Sequence, residues 1–195
     1  MPAKIIYTLL ILCLLLFYLQ CSGGASDQYT TWALYNGDPG GMRYSQLTRI
    51  NKQNVRNLDT AWVFHTGDNR IDPPSTIECT PVIVDSIMFI TSPALKVMAL
   101  HAATGREIWR FDPFAGGSAR GVNRGVTYWD DGMSGRILFV AGSSLYALDA
   151  LTGQPEDEFG INGTVNLKND LNRDVSEVHV RSEERRVGKE CATGC

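Results

Sequence analysis

The chain has 195 residues, of which 44% are hydrophobic and 20% charged, and a net charge of −3 at neutral pH. That balance describes a globular protein with a core of its own and excludes a nucleic-acid surface, which requires a basic excess. Nineteen glycines and eight prolines point to a turn-rich β protein, and no run of like charges marks a tail in the body of the chain.

Residues 1–28 stand apart. Met1-Pro2-Ala3-Lys4 is a short basic stretch, the fifteen residues from Ile5 to Leu19 are almost unbroken apolar sequence, and small polar residues follow from Gln20 to Ser26. Fifteen apolar residues fall short of the roughly 20 that a helix needs to span a bilayer. The segment therefore reads as an N-terminal signal helix for export and not as a permanent anchor. Cys21, placed directly after the apolar run and before Ser22-Gly23-Gly24, resembles the lipidated cysteine of a bacterial lipoprotein signal. Tyr18-Leu19-Gln20 departs from that pattern, which wants small residues there, so cleavage near Gly24–Ser26 with loss of Cys21 stays open. Either product lies beyond the cytoplasmic membrane, in the periplasm, and is membrane-anchored if Cys21 carries lipid.

The body of the chain opens at Trp32. Gly37-Asp38-Pro39-Gly40-Gly41 is a turn by composition, residues 51–58 suit a single helical turn, residues 60–65 read as a strand, and residues 67–75 as a loop. Two similar units follow. In the first, β-branched and aromatic runs predict strands over residues 80–84, 87–91, 96–100 and 107–111. In the second, strands are expected over residues 125–129, 136–140 and 144–148, with a fourth near residues 156–159. That fourth strand is irregular, because Gln154-Pro155-Glu156-Asp157 is poor strand sequence.

The two units share a near-identical heptapeptide. Ala99-Leu100-His101-Ala102-Ala103-Thr104-Gly105 and Ala147-Leu148-Asp149-Ala150-Leu151-Thr152-Gly153 begin 48 residues apart. A period of that size is what a four-stranded propeller blade produces, since one blade cannot bury both faces of its sheet and must stack on copies of itself. The expected fold class is all-β, with about two β-propeller blades over residues 29–167. Two blades do not close a ring, and they leave an unpaired edge and an open inter-blade face.

Residues 168–180 form a polar, truncated segment. Residues 181–195 look foreign: Arg181 to Cys191 resembles the conceptual translation of a sequencing-adapter oligonucleotide, so the natural product is expected to continue past about Val180. Cys13 lies in the signal, Cys191 and Cys195 in this tail, and Cys79 alone in the body, so no disulfide framework or zinc spacing is present. His65, His101 and His179 have no metal-ligand spacing, and His101 occupies the turn position that Asp149 fills in the second copy.

Several blocks in one order carry a family resemblance: Tyr35-Asn36-Gly37-Asp38-Pro39-Gly40-Gly41-Met42-Arg43-Tyr44-Ser45, Ala61-Trp62-Val63-Phe64-His65-Thr66-Gly67-Asp68, Glu78-Cys79-Thr80-Pro81, and Asn123-Arg124-Gly125-Val126-Thr127-Tyr128-Trp129-Asp130. Over about Trp32 to Leu167 the chain resembles the N-terminal part of the quinoprotein dehydrogenases of alcohol and glucose type, which use pyrroloquinoline quinone (PQQ) and calcium on an eight-bladed propeller. The resemblance implies a docking role for Trp109, with Gly105 in the same motif, the indole stacking on a neighbouring blade and donating its N–H to that blade's backbone. No tryptophan stands four residues after Gly153, where Asp157 lies, so the second copy lacks that outgoing contact. It also implies that Glu78 and Arg124 pair with one another and contact PQQ, a planar tricarboxylate that guanidinium can grip bidentately.

The implied reaction is hydride transfer from a substrate carbinol carbon to PQQ, with calcium as Lewis acid, an aspartate as base, and electrons passed to membrane quinone or a cytochrome. The aspartate and the calcium ligands belong to later blades, so no catalytic or metal-binding residue is assigned here and the segment alone is expected to be inactive. Alcohol-oxidising members carry two adjacent cysteines shortly before the arginine, where this chain has about Ser118-Ala119, and that departure favours a sugar or polyol substrate. The alternative is a non-catalytic propeller lipoprotein of the outer-membrane assembly type, which binds other proteins through its blade loops.

Overall fold

The computed structural model describes residues 31–117 and 121–169, together with Leu171 and Asp174. The signal segment with Cys21, the Ser118-Ala119 position, His179 and the tail over residues 181–195 lie outside the described residues. Two four-stranded antiparallel sheets follow one another, each a meander. The first orders β1 (Val82–Val84), β2 (Ile87–Thr91), β3 (Val97–His101) and β4 (Glu107–Phe111). The second orders β5 (Thr127–Asp130), β6 (Gly135–Ala141), β7 (Ser144–Asp149) and β8 (Thr164–Asn166).

Strand chemistry accounts for most of this. Ile87-Met88-Phe89-Ile90-Thr91 and Arg136-Ile137-Leu138-Phe139-Val140 are rich in branched and aromatic residues, which suit a pleated surface. Burial along β6 alternates, with Ile137, Phe139 and Ala141 buried and their neighbours half-buried. β3 is instead buried on both faces from Val97 to Leu100, as a strand between two covered layers must be. Asp85 and Ser86 join β1 to β2, both at positive φ (46° and 69°), the turn whose twist matches the strands it connects.

The sheets stack face to face. Val82, Phe89, Val97, Ala99 and Trp109 of the first share one core with Val126, Ile137, Phe139, Ala141, Leu148 and Ala150 around the second. Aromatic rings seam the joint: Phe89 lies 6.5 Å from Tyr128, and Phe111 lies 6.0 Å from Phe139 and 5.7 Å from Tyr146. Spacings of this size suit ring pairs whose edges and faces carry opposite partial charge.

Two expectations are corrected. Residues 60–65 form no strand; their exposure alternates as in an extended chain, but no ladder partner lies among the described residues. A short 3-10 turn, Val55–Asn57, is the helical element near them. The fourth strand of the second sheet is β8 (Thr164–Asn166), not residues 156–159. Pro155 bridges Leu148 and the Glu156 N–H reaches the Ala147 carbonyl, 2.9 Å, so pairing with β7 begins there. The chain then leaves the sheet, turning through a Phe159 N–H to Glu156 carbonyl bond, and returns at Thr164 opposite Tyr146. Pro155 has no N–H to give the ladder, so its rung opposite Leu148 lacks a donor, and the ladder ends in the turn that begins at Glu156.

Candidate functional site

The heptapeptide repeats are seats for tryptophans. Trp109, at the middle of β4, donates its indole N–H to the Ala150 carbonyl at 3.0 Å. Its ring covers Gly153, where an added Cβ would come within 2.5 Å of the indole. One repeat earlier the same joint recurs: Trp62 donates to the Ala102 carbonyl at 3.1 Å and covers Gly105, again with 2.5 Å to a built Cβ. Gly105 therefore receives Trp62, while Trp109 is received by Gly153. Both glycines sit at positive φ (70° and 71°), so glycine is required for the turn and for the approach of the ring. Sequence reasoning missed Trp62. Its 47-residue spacing from Trp109 was the available signal, almost the repeat period.

The two turns differ at one position. Asp149 Oδ1 accepts from the Leu151 and Thr152 N–H groups at 3.1 and 2.7 Å and from the Thr152 hydroxyl at 2.7 Å. In the first copy His101 occupies that place, and its buried Nδ1 has no hydrogen-bond partner among the described residues. Replacing His101 with Asp should install the missing turn bonds and raise stability by about 1 kcal/mol. A urea midpoint of the full-length protein measures it; an unchanged or lower midpoint contradicts it.

Glu78 and Arg124 come from the lead-ins to β1 and β5, the first strands of the two sheets. Their charged ends lie 3.7 Å apart (Arg124 Nη2 to Glu78 Oε2), with the side chains 51% and 42% exposed for Arg124 and Glu78. The lead-ins are tied by backbone, the Thr80 N–H donating to the Arg124 carbonyl at 2.9 Å. Gly125 permits this: at φ +137°, a Cβ there would stand 2.9 Å from the Thr80 carbonyl oxygen. An exposed pair without a hydrogen bond contributes only about 0–1 kcal/mol, so the pair is not what holds the sheets together. Among the described residues the guanidinium makes no other polar contact, and its remaining donors are open to solvent.

Cys79 stands between Glu78 and Thr80 in the lead-in to β1. Its sulfur accepts from the Thr91 N–H at 3.3 Å, and burial pushes the thiol above its ordinary pKa, against the opposing pull of the Thr91 contacts. Such a thiol stays protonated at neutral pH and packs as a small apolar group. No group of three His, Cys, Asp or Glu suited to a metal occurs among the described residues. An open cavity of about 590 Å³ lies at the other end of β1 and β5, between Val84, Asp85, Tyr128, Trp129 and Met133, and contains none of the sequence-predicted site residues.

Stacked four-stranded meanders, each seating a tryptophan from the previous repeat, define blades of a propeller. The chain belongs to the PQQ-dependent dehydrogenases: residues 32–190 match the family described as "PQQ: Glucose/ethanol/alcohol dehydrogenase, beta-propeller domain". It is 35% identical over 162 residues to quinoprotein glucose dehydrogenase A of Acinetobacter calcoaceticus, covering 70% of this chain and 20% of that protein. It is 34% identical over 152 residues to the dehydrogenase subunit of the quinone-linked alcohol dehydrogenase of Gluconacetobacter polyoxogenes, covering 70% and 19%. The crystal structure of the quinohemoprotein alcohol dehydrogenase of Comamonas testosteroni superimposes with a TM-score of 0.59 at 31% identity, covering 74% of this chain and 21% of that one. The chain thus spans about a fifth of the length of the relatives it matches.

Proposed function

We propose that residues 29–167 are the N-terminal blades of a periplasmic PQQ-dependent dehydrogenase that oxidises an alcohol, polyol or sugar and passes electrons to a quinone or cytochrome. The observation that carries the reading is the Glu78–Arg124 pair, held across two consecutive blades with its guanidinium donors uncommitted. The residues fit the cofactor class. A planar polycarboxylate needs a cation with paired, coplanar N–H donors, and Arg124 presents one on a fixed backbone.

Arg124 would grip one carboxylate of the cofactor, with the Glu78 carboxylate 3.7 Å from the same guanidinium. Bound PQQ supplies the two-electron acceptor for the substrate carbinol carbon. The metal is proposed to be calcium, with ligands contributed from outside the described residues; a related methanol dehydrogenase of known structure contains europium. The apolar exposure of the segment supports stacking within a larger ring. Met42, Leu47, Ile71 and Met133, all outside the strands, are 71%, 65%, 90% and 93% exposed, and further blades would offer them cover. Alone, the two blades would supply one wall of the site and no turnover.

The test is reconstitution. The full-length protein, freed of cofactor and given PQQ with excess calcium, should oxidise an alcohol or aldose with reduction of an artificial dye. Dye reduction that is indifferent to PQQ, or absent across alcohols, polyols and sugars, contradicts the reading.

A further inference from the structure

We infer that Asn123 is a positioning residue for Arg124, its carboxamide standing in for a missing rung of the sheet so that the arginine is aimed at its ligand. The inference rests on the cofactor reading above and concerns a residue that touches no ligand itself.

Asn123 is only 5% exposed, although it lies in the loop that leads into β5. Pairing of β5 with β6 starts at Thr127 opposite Leu138, so continuing the register would set Gly125 opposite Val140. Those two residues are not joined directly. The Asn123 Nδ2 group donates to the Val140 carbonyl at 2.8 Å, and its Oδ1 accepts from the Gly125 N–H at 2.7 Å. The side chain thus takes up the Gly125 N–H and the Val140 carbonyl, the donor and acceptor of one of the two bonds that such an antiparallel pair exchanges.

The consequence falls on Arg124. Relieved of strand geometry, the backbone swings through Gly125 at φ +137°. The Arg124 carbonyl turns toward the first sheet, where the Thr80 N–H holds it at 2.9 Å. Its side chain emerges 51% exposed, beside Glu78. Asn123 fixes the residue from the second blade and Thr80 from the first.

Only a carboxamide of this length offers a donor and an acceptor to those partners. Aspartate keeps the shape and the Gly125 bond but sets an oxygen against the Val140 carbonyl. Alanine or serine loses both contacts or cannot reach.

The experiment is a double-mutant cycle in the full-length dehydrogenase, with PQQ as the probe and calcium in excess. PQQ affinity is titrated for the wild type, Asn123→Ala, Asn123→Asp, Arg124→Ala and the double variant. Each Asn123 variant should weaken PQQ binding by about tenfold. In the Arg124→Ala background the Asn123 substitutions should add less than about twofold, because the arginine they aim is gone. Asn123→Asp, being isosteric, gives the answer if Asn123→Ala fails to fold. Affinity within twofold of wild type for both Asn123 variants overturns the inference. So does an undiminished loss in the Arg124→Ala background, which would mean that Asn123 acts through the fold and not through the arginine. If Arg124→Ala itself leaves PQQ affinity unchanged, the cofactor reading fails, and the inference with it.

Discussion

Trp109→Ala should lower the stability of the propeller by about 3–5 kcal/mol, the range for deleting a buried aromatic side chain. The indole is nearly buried, lies 5.9 Å from the Phe89 ring, and covers Gly153 of the next blade. Its removal opens a cavity at the blade joint and orphans the Ala150 carbonyl. Total stabilities of about 5–15 kcal/mol make that a large fraction. Trp109→Phe separates the two contributions: it keeps most of the ring contact and loses the N–H, so about 1 kcal/mol is expected. The denaturant midpoint of the full-length protein reads both. An alanine variant within about 1 kcal/mol of wild type would mean that the joint is not held by this ring.

Arg124→Ala should weaken PQQ binding by about 10- to 100-fold, the worth of a charge-assisted hydrogen bond to a carboxylate in a partly desolvated site. The fold should be nearly unaffected, because the Glu78 contact is exposed and contributes little. Arg124→Lys should recover only part of the loss, since an ammonium keeps the charge but not the paired planar donors. A titration of the cofactor-free protein gives the affinities, and a denaturant midpoint gives the stabilities. Unchanged affinity with alanine, or a stability loss as large as that of Trp109→Ala, would show that the arginine serves the fold.

How far the sequence disclosed this depends on which physical signal each part carries. β2 and β4 are bounded by the expected residues because branched and aromatic runs end at clear turns. The all-β blade architecture was legible from the spacing of two turn heptapeptides, which recur because each turn must seat a ring from the preceding blade. β8 was not legible. Thr164-Val165-Asn166 is too short to carry a periodicity, and an insertion over residues 157–163 breaks the repeat just before it.

Residues 60–65 failed in the opposite direction. Their alternation is real, but alternation reports two differing faces and says nothing of hydrogen-bonded neighbours. Glu78 and Arg124 carry no periodicity at all. They were reached through resemblance of the surrounding motifs, and no local pattern in either lead-in says that the two meet. Asn123 was invisible for the same reason, since an asparagine before a strand reads as a turn former until its carboxamide is seen spanning Gly125 and Val140.

The most direct test is a structure of the full-length protein with PQQ bound. Arg124 should place two guanidinium nitrogens at about 2.7–3.2 Å from one cofactor carboxylate, with Glu78 against the same guanidinium. A cofactor seated elsewhere, with the Arg124 side chain in solvent and more than about 6 Å from any cofactor oxygen, would contradict the account.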